Sequence, residues 1–392
     1  MKLITYCFVF ALLLTSCSSS NKISRKVIGN NEKFAAEQYK ILMKNTPVYE
    51  MPVNYDPAKD QFVTGKTERW TSGFYPGSLW LIYKATNDAV IKQEAENRLK
   101  LQENIKYFTG NHDIGFMIFC SFGTAYEITK NPEYKEVIMT AAESATKRYN
   151  AAMRSIQSWN KSNKYKAPVI IDNMMNLELL EWAAQNGGDQ KYADIARTHA
   201  NTTLKNHFRK DNSSYHVVDY NPETGAVLKK VTHQGYADES AWARGQSWGL
   251  YGYTMMYRFT RDKKYLDQAH KIAAYLLNHP NLPADKIPYW DYNAPDIPNA
   301  KRDASAGAIM ASALLELAQY SQGRQKKKYV ADATTMIKAL GTTYRSAPGA
   351  NNGFILQNSV GNLPGNSEVD VSLTYADYYY LEALDRYKKW VL

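Results

Sequence analysis

The stretch Asp238-Glu239-Ser240-Ala241-Trp242-Ala243-Arg244-Gly245-Gln246-Ser247-Trp248-Gly249-Leu250-Tyr251-Gly252-Tyr253, running on to Thr260, decides the fold class. It opens on acids, passes through small residues and becomes an apolar-aromatic helix pattern. Five other segments repeat that order: residues 70–86, 113–129, 172–184, 303–320 and 370–387. Between them lie six amphipathic stretches, 32–43, 89–108, 132–149, 189–207, 262–277 and 325–344. These are more charged and suit an outer layer, because an apolar stripe at helical spacing covers a core on one face only. Twelve helices alternating inner and outer predict an all-α fold, an (α/α)6 barrel. An open superhelix of helix pairs would show a tighter period than these units of unequal length. Strand-like runs such as 215–220 are short and fall between helices. The long loops before the inner helices are where function is expected, since loops on a rigid scaffold commonly carry it.

The chain has 392 residues, 44% hydrophobic, 13% aromatic and 22% charged, which excludes disorder. Tyr 30 and Trp 8 against Phe 12 suit a core opening onto a wet groove, because Tyr and Trp join an apolar face to a polar tip. The formal charge of +10 favours acidic ligands, but the basic residues are scattered, so no nucleic-acid partner is expected. Lys2 followed by an apolar run over 3–14, too short to span a bilayer, reads as a targeting segment. Leu14-Thr15-Ser16-Cys17 resembles a bacterial lipobox. The expected organisation is a lipoprotein signal peptide over 1–16, a polar tether over 17–31, and a single catalytic barrel over 32–392. Cys17 would carry the lipid anchor, placing the protein in the bacterial cell envelope on the periplasmic side of a membrane. With Cys7 removed and Cys17 lipidated, Cys120 remains alone and no intrachain disulfide is expected.

Seven His invite a search for metal sites, but no H-E-x-x-H occurs and no metal is expected. His199 and His207, on an outer-type helix, are expected at the surface. No G-x-S-x-G elbow, Walker A or strand-led G-x-G-x-x-G is present. A carboxylate-and-aromatic site remains. Asp113 opens one inner helix and Asp172 the next, so an (α/α)6 barrel would bring both to one rim. Two close acids cannot both ionise freely, and one keeps a proton near neutrality. Taken singly, each Asp reads first as a helix N-cap and only then as a catalytic acid. The run Thr232 to Gly249 packs His233, Gln234, Arg244, Trp242 and Trp248 together with small residues, more polarity than a core helix needs. Aromatic faces beside fork-shaped donors suit a sugar and its carboxylate.

Six runs then carry a specific resemblance. They are Arg69-Trp70-Thr71-Ser72-Gly73-Phe74-Tyr75-Pro76-Gly77, His112-Asp113-Ile114-Gly115-Phe116, residues 171–177, residues 234–249, Arg302-Asp303-Ala304-Ser305-Ala306 and residues 375–384. In order along nearly the whole mature chain, they resemble the unsaturated glucuronyl hydrolases of glycoside hydrolase family 88. The resemblance implies the same (α/α)6 barrel, with Asp172 as general acid/base and Asp113 as the acid that assists it. It implies that His216, Gln234, Arg244 and Trp248 contact the unsaturated sugar, and that Trp70 and Trp159 stack on it. The substrate would be a lyase-generated oligosaccharide ending in a 4,5-unsaturated uronic acid, released by C4 protonation and C5 hydration with no cofactor. The run 357–362 departs from the family pattern, where His residues are common. Two rivals stay open: an unsaturated rhamnogalacturonyl hydrolase acting on pectin fragments, and a non-catalytic helical glycan-binding lipoprotein.

Overall fold

Every inner segment forms a helix in the computed structural model, which describes residues 22–392. The inner helices are Phe74–Thr86, residues 114–129, Asn173–Gln185, Ala243–Thr260, Ala304–Gln319 and Thr374–Trp390. The outer ones are Arg25–Asn45, Ala89–Gln102, Pro132–Thr146, Gln190–Asn206, Lys263–Asn278 and Gly323–Leu340. Inner helices pack on their ring neighbours, and the last lies against the first, which closes an (α/α)6 barrel. Local chemistry sets the boundaries. Asp88, Asn131, Asp189 and Asp262 each cap an outer helix by accepting from a backbone N–H in its first turn. Lys263–Asn278 buries Tyr265, Ala269, Ile272, Ala273 and Leu276 at three- and four-residue spacing. Ala304–Gln319 is buried on every side except at Gln319, as an innermost element must be. The 114–129 helix carries a π turn at Phe119–Gly123.

Two glycines bring successive inner helices together at their starts. A Cβ on Gly73 would lie 2.2 Å from the Phe116 carbonyl oxygen, and one on Gly115 would lie 2.6 Å from the Asn176 Cα. Any larger residue would push apart the helix starts that carry Asp113 and Asp172. At the other end of the barrel, Arg258 pairs with Glu178 and Glu316, and Arg386 with Glu316 and Glu382. Cations there also face the negative ends of the helix dipoles.

Three expectations are corrected. The tether does not extend to residue 31, because the first outer helix starts at Arg25 under a Ser24 cap. Ile23 is already buried, and its N–H donates to the Tyr387 hydroxyl at 3.0 Å. The hydrophilic look of 22–31 hid an amphipathic turn that buries Ile28 and Asn31. The proposed signal segment and Cys17 lie outside the described residues. Strand content is also larger than expected: three antiparallel sheets cover the side where the inner helices start. One is four-stranded, in the order Gln61–Gly65, Met51–Asp56, Ser367–Leu373, Ser359–Asn362, and joins the two ends of the fold. Another pairs Ala167–Ile170 with Val217–Tyr220 and Val227–Val231. Finally, His199 and His207 are fully buried. His199 Nδ1 accepts from the Ile156 N–H at 3.0 Å, and His207 Nε2 lies 3.1 Å from the Val169 carbonyl, so both hold sheet strands against the outer layer.

Candidate active site

A pocket of about 290 Å³ opens at the N-terminal ends of the inner helices. It brings together six of the eight expected binding or catalytic side chains: Trp70, Asp113, Trp159, Asp172, Gln234 and Arg244. His216 and Trp248 do not line it and are buried behind it. His233, from the polar run 232–249, also lines the pocket, and sequence reasoning missed His112, Phe116, Ile170, Asn362, Ser367 and Glu368, which complete the wall. The last three stand on the 359–373 hairpin. Its Pro364-Gly365 turn between alternating Val residues was the available signal.

Neither acid caps its helix. Asp113 and Asp172 occupy the N-cap positions of their helices, yet neither side chain accepts a first-turn N–H. Asp303, which opens the 304–319 helix, does cap, accepting from the Ser305 N–H at 3.0 Å. The N–H of Phe116, an orphan of the 114–129 helix, is instead taken by Asn176 Oδ1 at 2.8 Å. Burial pushes Asp113 up to about 7, against the opposing pull of Asn176 and Arg148. Burial also pushes Asp172 up to about 7. Arg244 pulls it down, and the nearby charge of Asp113 pushes it further up. Burial is therefore the main cause, and mutual repulsion the smaller one. Asp172 Oδ2 has no hydrogen-bond partner, so its proton is free for a ligand.

The residues behind the pocket fix its protons. His216 Nδ1 accepts from the backbone N–H groups of His233 and Gln234, each at 3.2 Å. Burial holds the ring well below its ordinary pKa, so it is neutral and carries its proton on Nε2. That nitrogen is 3.8 Å from Asp172 Oδ2, and the ring stacks on Trp242 with centroids 4.3 Å apart. The Trp248 indole N–H is also unpartnered and lowers the Asp172 pKa by its proximity. Its ring packs between Phe116 and Tyr379 at 5.1 and 5.2 Å, so Trp248 is a floor under the acid rather than a stacking face. Arg244 lines the pocket and also braces its wall. Its fork donates to the carbonyls of Val360 and Gly361 and faces Asp303 at 3.5 Å, which ties the 359–362 strand to the barrel. Only its Nε remains without a partner.

Arg148 staples the two approaches to the pocket. It donates to the Thr109 and Gly110 carbonyls at 3.0 and 3.1 Å on the segment leading to Asp113. It also donates to the Gln157 carbonyl at 2.8 Å and Asn160 Oδ1 at 3.1 Å, on either side of Trp159. A larger cavity of about 540 Å³ lies at the opposite end, where the inner helices finish. Its guanidinium and carboxylate groups satisfy one another, and no lining side chain among the described residues has an orphaned buried N or O atom. The smaller pocket, with orphans on His112, Asp172 and Arg244, is the one built for a ligand.

Residues 43–391 match the family profile described as Glycosyl Hydrolase Family 88. The chain belongs to that family. A curated relative, the unsaturated glucuronyl hydrolase of Formosa agariphila, is 42% identical over 390 residues, covering 96% of this chain and 95% of the relative. The unsaturated chondroitin disaccharide hydrolase of Streptococcus pyogenes is 35% identical, with 87% and 89% covered. Among solved structures, an unsaturated glucuronyl hydrolase specific for heparin superposes with a TM-score of 0.90 at 43% identity, covering 93% of this chain and 98% of that one. As a family 88 glycosidase, the protein is an enzyme, and the glycan-binding lipoprotein reading falls. A family 88 member needs a proton donor at the sugar and a means to re-form it. Asp172, unpartnered and protonated near neutrality, has the chemical state for both.

Proposed function

We propose that this enzyme is an unsaturated glucuronyl hydrolase that releases the non-reducing 4,5-unsaturated uronic acid from lyase-generated oligosaccharides. One observation carries the reading: two buried aspartates at adjacent inner-helix starts line one pocket, neither caps its helix, and burial raises both to about 7, so that near neutral pH Asp172 can hold a proton beside an ionised Asp113. An ordinary glycosidase pairs an acid with an ionised carboxylate. Here Asp172, unpartnered on Oδ2, can by itself give a proton to a substrate carbon and take one back from water.

The C4=C5 bond of such a sugar is an enol ether. The Asp172 carboxyl gives its proton to C4, the π electrons form the new C4–H bond, and positive charge spreads between C5 and the ring oxygen. The Asp172 carboxylate then faces the His216 Nε2–H and the Trp248 N–H, which stabilise it without supplying a competing proton. Water adds at C5 and returns a proton to Asp172, which restores the acid. The C5 hemiketal opens to the ketone, C1 collapses to the aldehyde, and the aglycone leaves with its own oxygen. Asp113 raises the Asp172 pKa, and Trp70 and Trp159 offer faces for the ring.

Turnover in heavy water tests the scheme. Deuterium must appear on C4 of the released keto-uronate, and labelled water oxygen must enter at C5. Efficient cleavage of a saturated glucuronide, or product without C4 deuterium, would return the enzyme to ordinary glycosidase chemistry.

A further inference from the structure

The base of the barrel, the end away from the pocket, is where inner helices finish and outer ones begin. Over one half of it, in the links 83–92, 126–135 and 182–193, acids and bases nearly balance. Over the other half, residues 257–266, 317–328, 22–28 and 385–392 carry fourteen Lys and Arg, and their only acidic side chains are Asp262 and Asp385. Arg258, Lys263, Lys264, Lys328, Arg386 and Lys388 are engaged in ion pairs. Arg25, Lys26, Arg324, Lys326 and Lys327 are exposed and, among the described residues, pair with no acid. Fold stability does not ask for them. Arg25 and Lys26 open the first outer helix, and Arg324 and Lys326 the last, where the positive end of the helix dipole repels cations. The other four outer helices open on an Asp or Asn cap.

The N-terminal end of the chain leaves the barrel through this same half. The Tyr387 hydroxyl accepts from the Ile23 N–H at 3.0 Å and from the Thr334 hydroxyl at 3.3 Å, and Lys22 Nζ donates to the Val391 carbonyl at 3.2 Å. Five residues separate Cys17 from buried Ile23, a reach of at most about 20 Å. We propose that the basic half of the base docks on an anionic lipid bilayer, with Cys17 as the lipid anchor and the pocket turned away from the membrane. So short a tether holds the patch close to the headgroups, within the distance over which Lys and Arg feel an anionic leaflet. Half-buried Trp390, with Lys389 and Arg386 over its ring, and exposed Val27 place apolar tips at the same level, as suits a membrane–water interface. The inner helices are about 25 Å long, so the mouth of the pocket opens to solution, free for soluble oligosaccharides. The inference holds whatever the substrate.

The test uses residues 18–392, which hold the whole closed barrel and its tether without the anchor, and vesicles of phosphatidylcholine alone or mixed with phosphatidylglycerol. Flotation at low ionic strength should show binding to the anionic vesicles only, lost on adding salt. The variant Arg25→Gln/Lys26→Gln/Arg324→Gln/Lys326→Gln/Lys327→Gln should bind about a hundredfold more weakly or worse, whereas Lys205→Gln/Lys210→Gln, which removes exposed charges at the pocket end, should bind as wild type does. Hydrogen exchange on the vesicles should slow at 22–28, 323–328 and 385–392 and stay unchanged around the pocket. The full chain expressed in a bacterial host should remain with the membranes in high salt, and its recovery in the soluble fraction would overturn the anchor. No binding to anionic vesicles, undiminished binding by the five-residue variant, or protection at the pocket end would overturn the docking face. Binding of soluble heparin through the same five residues, with vesicles left unbound, would assign the patch to a polyanion in solution and overturn it as well.

Discussion

Replacing Asp172 with Asn should abolish turnover and stabilise the fold, and the second effect is the sharper test. Burial raises this carboxyl from an ordinary 3.8 to about 7, roughly three units. Below pH about 4 the group is protonated in both folded and unfolded chains and costs nothing. Between about 4 and 7 the unfolded chain ionises while the folded one keeps its proton, so stability falls as pH rises. Above 7 the folded state bears the whole cost, up to about 4 kcal/mol at about 1.4 kcal/mol per unit. Asn fills the same space and carries no charge. Melting followed by circular dichroism should therefore show the variant level with wild type at pH 4 and about 5 °C higher at pH 8, from the melting entropy of a chain this long. Activity should drop by about a hundredfold or more. A variant that melts lower than wild type at pH 8 would mean that the carboxylate is ionised and structural, and would refute the argument.

Since Asp172 must be protonated to act, kcat/KM should fall as pH rises through about 7. Asp113→Asn removes a charge that raises the Asp172 pKa, so it should cut activity and move that limb to lower pH, and an upward shift would contradict the pairing. Arg244→Lys should lower the melting temperature even without substrate, because one ammonium cannot span the Val360 and Gly361 carbonyls and Asp303 together. Unchanged melting with lost activity would mean that the guanidinium serves the ligand alone. Arg148→Gln should raise KM about tenfold with a smaller change in kcat, since it frees the segments on either side of Trp159 while leaving Asp172 in place. Steady-state kinetics that match wild type would remove Arg148 as a positioning residue.

The helical alternation was legible in the sequence because it is local. Apolar, small and charged residues recur at helical spacing in 70–86 and 243–260 whatever they pack against, and the ring follows from counting such units. The placement of Asp113 and Asp172 just before two consecutive inner helices was equally local, and so put both on one rim. Tertiary structure decided the rest, because a residue's partners lie far along the chain. The Met51–Asp56 strand pairs with Ser367–Leu373, some three hundred residues away, and so brings Glu368 to the pocket. His199 looked like a surface residue until the Ile156 N–H met its ring. Arg244 was placed at the site by its neighbours in sequence, but Val360 and Gly361 determine what its fork does. Capping and catalysis could not be separated for either Asp from sequence, since both ask for an acid before a helix. The fold separates them by burying the two carboxyls and giving the first-turn N–H of Phe116 to Asn176. A pKa depends on solvent and charge in three dimensions, which no spacing encodes.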